Sequence, residues 1–320
     1  MSLQAPLVQR QLTRLLLKSD GICWTIRPPA TAAAMASAAL TDTEFRSQLQ
    51  PEGKRIGFRM SSKNKLEDVG GSNGSPLFSV MIVNYNGGDY LQNCISSLAQ
   101  QTFRDFEVIC IDNASSDGSV DVLDTEGVPN FTLSRQSENL GFARGNNVAA
   151  TQARGRWLAL LNPDAIADPY WLQKIFEASE RHTACRVFAC GQIKLDDPNM
   201  LDGAGDAYLI FGVPWRGGFE LPASELPKEG MCFSPCGASA IYERNLYLEF
   251  KGFDERFFCY CEDVDLGYRM QLSGEQCIFL PDALIQHKGS GTSGRYSYFT
   301  TFHGNRNRTW TYLKNTPLLL

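Results

Sequence analysis

Between residues 77 and 161 the chain alternates short apolar runs with stretches of helical character, and this alternation limits the possible fold more than any other feature. The runs are Phe78-Ser-Val-Met-Ile-Val-Asn84, Phe106-Glu-Val-Ile-Cys-Ile-Asp112, Phe131 to Leu133, and Trp157-Leu-Ala-Leu-Leu161. Helices are predicted at 90–100, 116–123, 142–153 and 169–178. A strand without polar alternation is buried on both faces, and a return to a parallel neighbour needs a crossover that is usually helical. The pattern predicts an α/β fold: a mostly parallel sheet with helices on both faces. Ligands of such sheets sit outside the carboxyl ends of the strands. Asn84, Asp112, Asn162 and Asp164 all lie on that rim.

From about Phe188 the pattern is less regular. A glycine- and aromatic-rich stretch (203–218) precedes a strand at 237–242, a helix at 263–271 and a strand at 277–280. This half reads as the acceptor side of the same domain, opposite a nucleotide-binding first half. Residues 1–75 lack alternation and end in Gly70-Gly-Ser-Asn-Gly-Ser75, an N-terminal extension with a linker before a catalytic domain at 76–320. Short helices are conceivable there at 12–18 and 31–40.

Bulk properties remove several classes. A net charge of -5 leaves no basic excess for a nucleic-acid partner. The ten cysteines sit largely in apolar runs, as Cys110 does, and read as reduced core thiols of a cytoplasmic protein. Cys232-x3-Cys236 and Cys259-x-Cys261 miss the spacings of zinc ribbons and fingers. No apolar run of about 18 residues occurs to span a membrane. The apolar slope at 316–320 suits either the end of a soluble fragment or peripheral association with the inner face of a membrane. Neither a G-x-S-x-G elbow nor a Walker loop is present.

Five constellations remain. Asn84-Tyr85-Asn86 and Asp112-Asn-Ala-Ser-Ser-Asp-Gly118 stand where strands give way to the next segment and can hydrogen-bond a base and ribose. The same residue types also make ordinary turns and caps. Asn139-Leu-Gly141-Phe-Ala-Arg144-Gly-Asn146 opens a helix whose N–H groups, with Arg144, can meet phosphate. Asn162-Pro-Asp164 sets a carboxylate after a strand, as a hard divalent cation requires, or simply turns the chain. Glu262 and Asp263 follow an aromatic run and open a helix; a general base and a helix cap both fit. Asp265 stands four residues before Arg269, its expected partner. His287, at a strand end, can complete a metal site. Arg306 or Arg308 can reach a pyrophosphate, whereas His182 has no chemical role in view.

In order, Ser79-Val-Met-Ile-Val-Asn-Tyr-Asn86, Ile111-Asp-Asn-Ala-Ser-Ser-Asp-Gly118, Asn139-Leu-Gly-Phe-Ala-Arg-Gly-Asn-Asn147, Leu161-Asn-Pro-Asp-Ala165 and Glu262-Asp-Val-Asp-Leu266 resemble the family 2 glycosyltransferases. The rhamnosyltransferase-like branch of bacterial polysaccharide synthesis is the nearest in look, over about 78–314. The resemblance implies a GT-A fold, a nucleoside-diphosphate-sugar donor (TDP- or UDP-linked), a glycan or lipid-linked glycan acceptor, Mg²⁺ or Mn²⁺, and inversion at the anomeric carbon. It further implies Asp112 and Tyr85 at the base, Asp164 and His287 at the metal, and Asp263, beside Glu262, as base. Asn84, Asn86, Asn139, Gly141, Arg144, Asn146 and Asn162 join the donor contacts; Trp215 and Asp265 join those of the acceptor. Asn162 departs from the Asp-x-Asp of many members and leaves one carboxylate in that turn. The rival readings are a sugar-phosphate nucleotidyltransferase, which wants a basic glycine-rich loop where Asn84-Tyr-Asn-Gly-Gly88 stands, and a non-catalytic carbohydrate-binding relative.

Overall fold

A computed structural model of the chain describes residues 74–209, 211–289 and 297–317. The extension before residue 74, with the helices considered at 12–18 and 31–40, and the last three residues lie outside this description.

The first half is built as the alternation demands. β1 (Phe78–Asn84) pairs in parallel with β2 (Phe106–Asp112), from Phe78 opposite Phe106 to Asn84 opposite Asp112. β3 (Phe131–Arg135) extends this sheet in parallel beyond β2, and β4 (Trp157–Leu160) lies parallel to β1 on its other side. The crossovers carry α1 (Gly88–Ala99) and α2 (Gly141–Gln152). Successive β1 side chains point to opposite faces, and both faces are covered. Val80 and Ile82 pack with Leu91, Ile95 and Leu98 of α1 and with Trp171 and Ile175 of α3 (Trp171–Arg181). Met81 and Val83 pack instead with Ala143, Ala149 and Ala150 of α2. Phe78, Ile82 and Phe106 are buried almost completely, which is worth about 1.5–3 kcal/mol apiece.

The second half completes the sheet with mixed polarity. β11 (Ala240–Glu243) runs antiparallel to both β4 and β6 (Val187–Lys194), and β6 runs parallel to β12 (Cys277–His287). β10 (Gly230–Cys232) closes the edge, giving the order β10-β12-β6-β11-β4-β1-β2-β3. The short strands β5 (Ala165–Ala167) and β7 (Leu201–Ala204) pair with β12 and β6. β8 (Asp206–Leu209) and β9 (Val213–Arg216) form a separate two-stranded sheet within the glycine- and aromatic-rich stretch. α4 (Arg244–Glu249), α5 (Glu262–Leu272) and α6 (Tyr298–Asn315) follow β11, the aromatic run and β12 respectively.

Two local expectations fail. Residues 116–123 turn rather than form a helix. Asp117 Oδ1 accepts bonds from the Ser119 N–H and hydroxyl, its Oδ2 accepts from the Gly88 N–H, and Gly118 sits at φ +76°. Local side-chain bonds there compete with the helical ladder. The last strand does not stop at Leu280. A register shift between Leu280 and Leu284 absorbs Pro281-Asp282, and the strand resumes to deliver His287 to the rim beside β5.

Candidate active site

A cavity of about 470 Å³ opens at the carboxyl ends of the strands. Tyr85, Asn113, Asn139 and Gly141 line one side; Asn162, Asp164 and His287 line the floor; Asp206, Trp215 and Arg216 come from the second half. Glu262 and Asp263 of α5 and Arg308 of α6 complete the wall.

The floor is a chain of charged contacts across four segments. His287 Nε2 stands 3.1 Å from Asp164 Oδ1, and its Nδ1 stands 2.8 Å from Asp202 Oδ2 on β7. The same Asp202 oxygen accepts a bond of 2.9 Å from Arg216 Nη1 on β9. Burial opposes ionisation of Asp202, but Arg216 and His287 outweigh it and hold the carboxyl at about 2. Burial likewise opposes charge on His287, yet its two carboxylate partners raise the imidazole to about 9. The imidazole is thus held between two carboxylates that favour its charged form.

This donor set fits a hard divalent cation. With Nδ1 engaged by Asp202, Nε2 is the nitrogen turned to Asp164, the tautomer that carboxylate–histidine–metal arrangements use. Asn162 Nδ2 lies 3.2 Å from the same Nε2, and the buried Asn162 Oδ1 has no partner. Asp202 stands behind His287 on the far ring nitrogen, and among the described residues no set of three acidic, histidine or cysteine side chains is grouped to hold a metal ion by itself. Two protein ligands, with phosphate oxygens and water for the rest, is the usual complement for Mg²⁺.

Asp263 is held by the backbone. Its Oδ2 accepts the Gly237 N–H at 2.7 Å and its Oδ1 accepts the Val264 N–H at 2.8 Å. Burial lifts its pKa above the ordinary carboxylate value, and those N–H groups with Arg216 offset the rise only in part. Glu262 is raised further, by burial and then by Asp263, and its Oε2 has no partner. Asp206 is also buried beside the cavity, raised by burial and by Asp263. A carboxylate with an elevated pKa in a cleft suits proton abstraction.

Several expected residues stand elsewhere. Asn84 is fully buried; its amide donates to Asp112 Oδ1 and to the Ser115 and Ser119 hydroxyls, and neither Asn84 nor Asp112 lines the cavity. Asn86 occupies a left-handed turn at φ 50° and accepts the Ser116 N–H. Asn146 turns back to donate to the Phe142 carbonyl, while Arg144 is half exposed, 3.7 Å from both Glu138 and Glu255. Asp265 has no exposure at all: it bonds Arg269 at 3.0 Å, Lys314 at 2.9 Å and Asn315 at 2.8 Å. Its carboxylate ties α5 to α6 and does not line the cavity. Trp215 borders the cavity but is 9% exposed, so little of its ring is open as a platform. Of the two arginines considered for pyrophosphate, Arg308 lines the cavity, whereas Arg306 donates to the Phe257 carbonyl.

Asp202, Asp206 and Arg216 were not among the candidates read from the sequence. They lie on strands of four residues in a glycine-rich stretch where no periodicity marks an inward face. The one signal was charge: three ionisable side chains within an otherwise apolar, glycine-rich segment.

Known proteins resemble this chain in sequence and in fold. The family model described as glycosyl transferase family 2 matches residues 79–239. The N-acetylglucosaminyl-diphospho-decaprenol L-rhamnosyltransferase of Mycobacterium tuberculosis is 27% identical over 244 residues, 68% of this chain and 78% of that protein. The O-antigen biosynthesis protein RfbC of Myxococcus xanthus is 27% identical over 68% of this chain, which is 18% of its own length. Among solved structures, the mannosyltransferase PcManGT of Pyrobaculum calidifontis, in complex with GDP-Man and Mn²⁺, superposes with a TM-score of 0.52 at 18% identity. That likeness covers 76% of this chain and 63% of the other. S. aureus TarS 1-349 in complex with UDP-GlcNAc gives 0.50 at 20% identity, over 69% and 61%. This chain therefore spans under two thirds of either solved chain. The fold is of the GT-A type.

Proposed function

The chain belongs to glycosyl transferase family 2 and is a glycosyltransferase, and from that premise we propose an inverting, metal-assisted transfer with Asp263 as general base. The donor is a nucleoside-diphosphate sugar, and the acceptor is a hydroxyl of a growing glycan. The observation that carries this reading is that Asp263, gripped by two backbone N–H groups, faces the same cavity as the Asp164–His287 pair.

Asp263 takes the proton of the acceptor hydroxyl as that oxygen forms its bond to the anomeric carbon. The bond from that carbon to the diphosphate oxygen breaks on the opposite face, so the configuration inverts. Asp164 and His287 would hold the divalent ion, which supplies charge neutralisation for the departing diphosphate. Arg308 borders the same cavity and adds a positive charge there. Tyr85, Asn113 and Asn139, with the Gly141 backbone, frame the nucleoside end. The relatives named for lipid-linked and O-antigen substrates support rhamnose as a sugar to test and a lipid-linked glycan as acceptor. Such an acceptor brings the enzyme to a membrane surface; no helix among the described residues is long and apolar enough to cross one.

The test is nucleoside-diphosphate release from TDP-, UDP- and GDP-sugars, with lipid-linked glycan acceptors present, with and without Mg²⁺ or Mn²⁺. Release from one donor that needs the metal and disappears in Asp263→Asn is expected. Sugar binding without turnover under all these conditions would favour a non-catalytic carbohydrate-binding protein instead.

A further inference from the structure

The segment that leads into Asp263 has an unusual backbone. Phe258, Tyr260 and Cys261 all have positive φ, at 64°, 74° and 64°, although none is glycine. Phe258, with ψ -61°, is the centre of a γ-turn closed by the Cys259 N–H to the Phe257 carbonyl at 2.7 Å. This left-handed form of the turn is rare and strained. Cys261 is the N-cap of α5 and makes no side-chain cap bond. Strain of this kind persists only where surrounding groups over-determine it.

The over-determining group is Asn307, in the middle of α6 and fully buried. Its amide nitrogen stands within hydrogen-bond distance of three carbonyls of that one segment, which share its two N–H groups: Phe257 at 2.9 Å, Cys259 at 2.8 Å and Tyr260 at 2.7 Å. Its Oδ1 is fixed in turn by Arg306 Nε at 2.8 Å, and Arg306 Nη2 also donates to the Phe257 carbonyl. The segment's other side touches the donor half: the Phe258 carbonyl accepts the Ala143 N–H, and a Cβ at Gly141 would stand 2.6 Å from that carbonyl oxygen.

We propose that Asn307 is a positioning residue for transfer: its amide holds residues 257–261 in the strained shape that sets Asp263 against the cavity. The inference rests on the reading of Asp263 as base. A displaced loop moves the carboxylate relative to the acceptor oxygen. Tyr85, Asn113 and Asn139 stand on other elements, and the segment meets the nucleoside end only indirectly, where its Phe258 packs on the Gly141–Ala143 start of α2.

The experiment compares Asn307→Ala with wild type in the full chain, using whichever of the UDP-, TDP- or GDP-sugars the wild type turns over. Misplacement of a reacting group by about 1 Å costs about 100-fold, so kcat should fall by that order, and by far more than the donor KM rises. The acid limb of the kcat pH profile should move, since the surroundings of Asp263 change. Cys261→Gly in the Asn307→Ala background should recover part of kcat, because glycine takes a left-handed conformation without steric cost. If Asn307→Ala does not fold, Asn307→Ser, which keeps one donor, carries the same comparison. Unchanged kcat in a folded variant, equal losses in kcat and donor affinity, or no recovery with glycine would each overturn the proposal. The two readings fail separately. Full activity in Asp263→Asn removes the base itself, whereas a dead Asp263→Asn beside an active Asn307→Ala removes only the positioning role.

Discussion

Asp265 separates a binding role from a structural one, since its place in the sequence beside Asp263 suggests the former and its contacts the latter. Asp265→Asn keeps the shape but removes the charge and turns an N–H₂ towards Arg269, Lys314 or Asn315, which are all donors. Breaking a buried pair by removing one partner costs about 3–5 kcal/mol. The lower end applies, because neither cation is stranded. Lys314 keeps Asp254 at 2.8 Å, and Arg269 keeps the carbonyls of Phe250 and Gly252, both at 2.7 Å. A loss of about 3 kcal/mol in a domain of this size lowers Tm by about 6–12 °C. Scanning calorimetry and urea unfolding would read that shift, with acceptor KM measured at a temperature where both proteins are folded. An unshifted Tm together with a raised acceptor KM would refute the reasoning and return Asp265 to the acceptor.

Asp202→Ala should weaken Mn²⁺ binding by about 10–100-fold, the usual cost of losing a carboxylate behind a ligating histidine. Loss of the free-Mn²⁺ resonance on titration measures it, and equal affinity would mean that His287 needs no such partner. For Asp263 the sign is fixed by burial: the base must be ionised and its pKa is raised, so kcat/KM should climb with pH through a limb above the ordinary aspartate value. A limb at or below that value would place the working base elsewhere.

The sheet was legible because its strands are buried on both faces, which leaves unbroken apolar runs. Phe78–Asn84 and Phe106–Asp112 can be bounded to the residue for that reason. Asn162, Asp164, Asp263 and His287 were visible as polar residues at the ends of such runs or at a helix start, and all border the cavity. Position in the sequence does not reveal which way a helical side chain faces. Arg144 therefore points to solvent and Asp265 into the α5–α6 contact, although each neighbours a cavity residue. Nor do short strands with glycines announce a face, which is why the Asp202–Arg216 pair emerged only when β7 and β9 were seen to converge on His287.

α6 is synthesised after the other elements described, and its Asn307 follows the loop carbonyls it holds by 47 to 50 residues. While the ribosome is still making residues 298–315, the sheet, the Asp164 turn and the helix bearing Asp263 already exist as chain. Asn307 and Arg308 are not yet available to them. On the proposed reading, the nascent protein frames a nucleotide pocket before residues 257–261 are held in place, and competence for transfer follows the docking of α6.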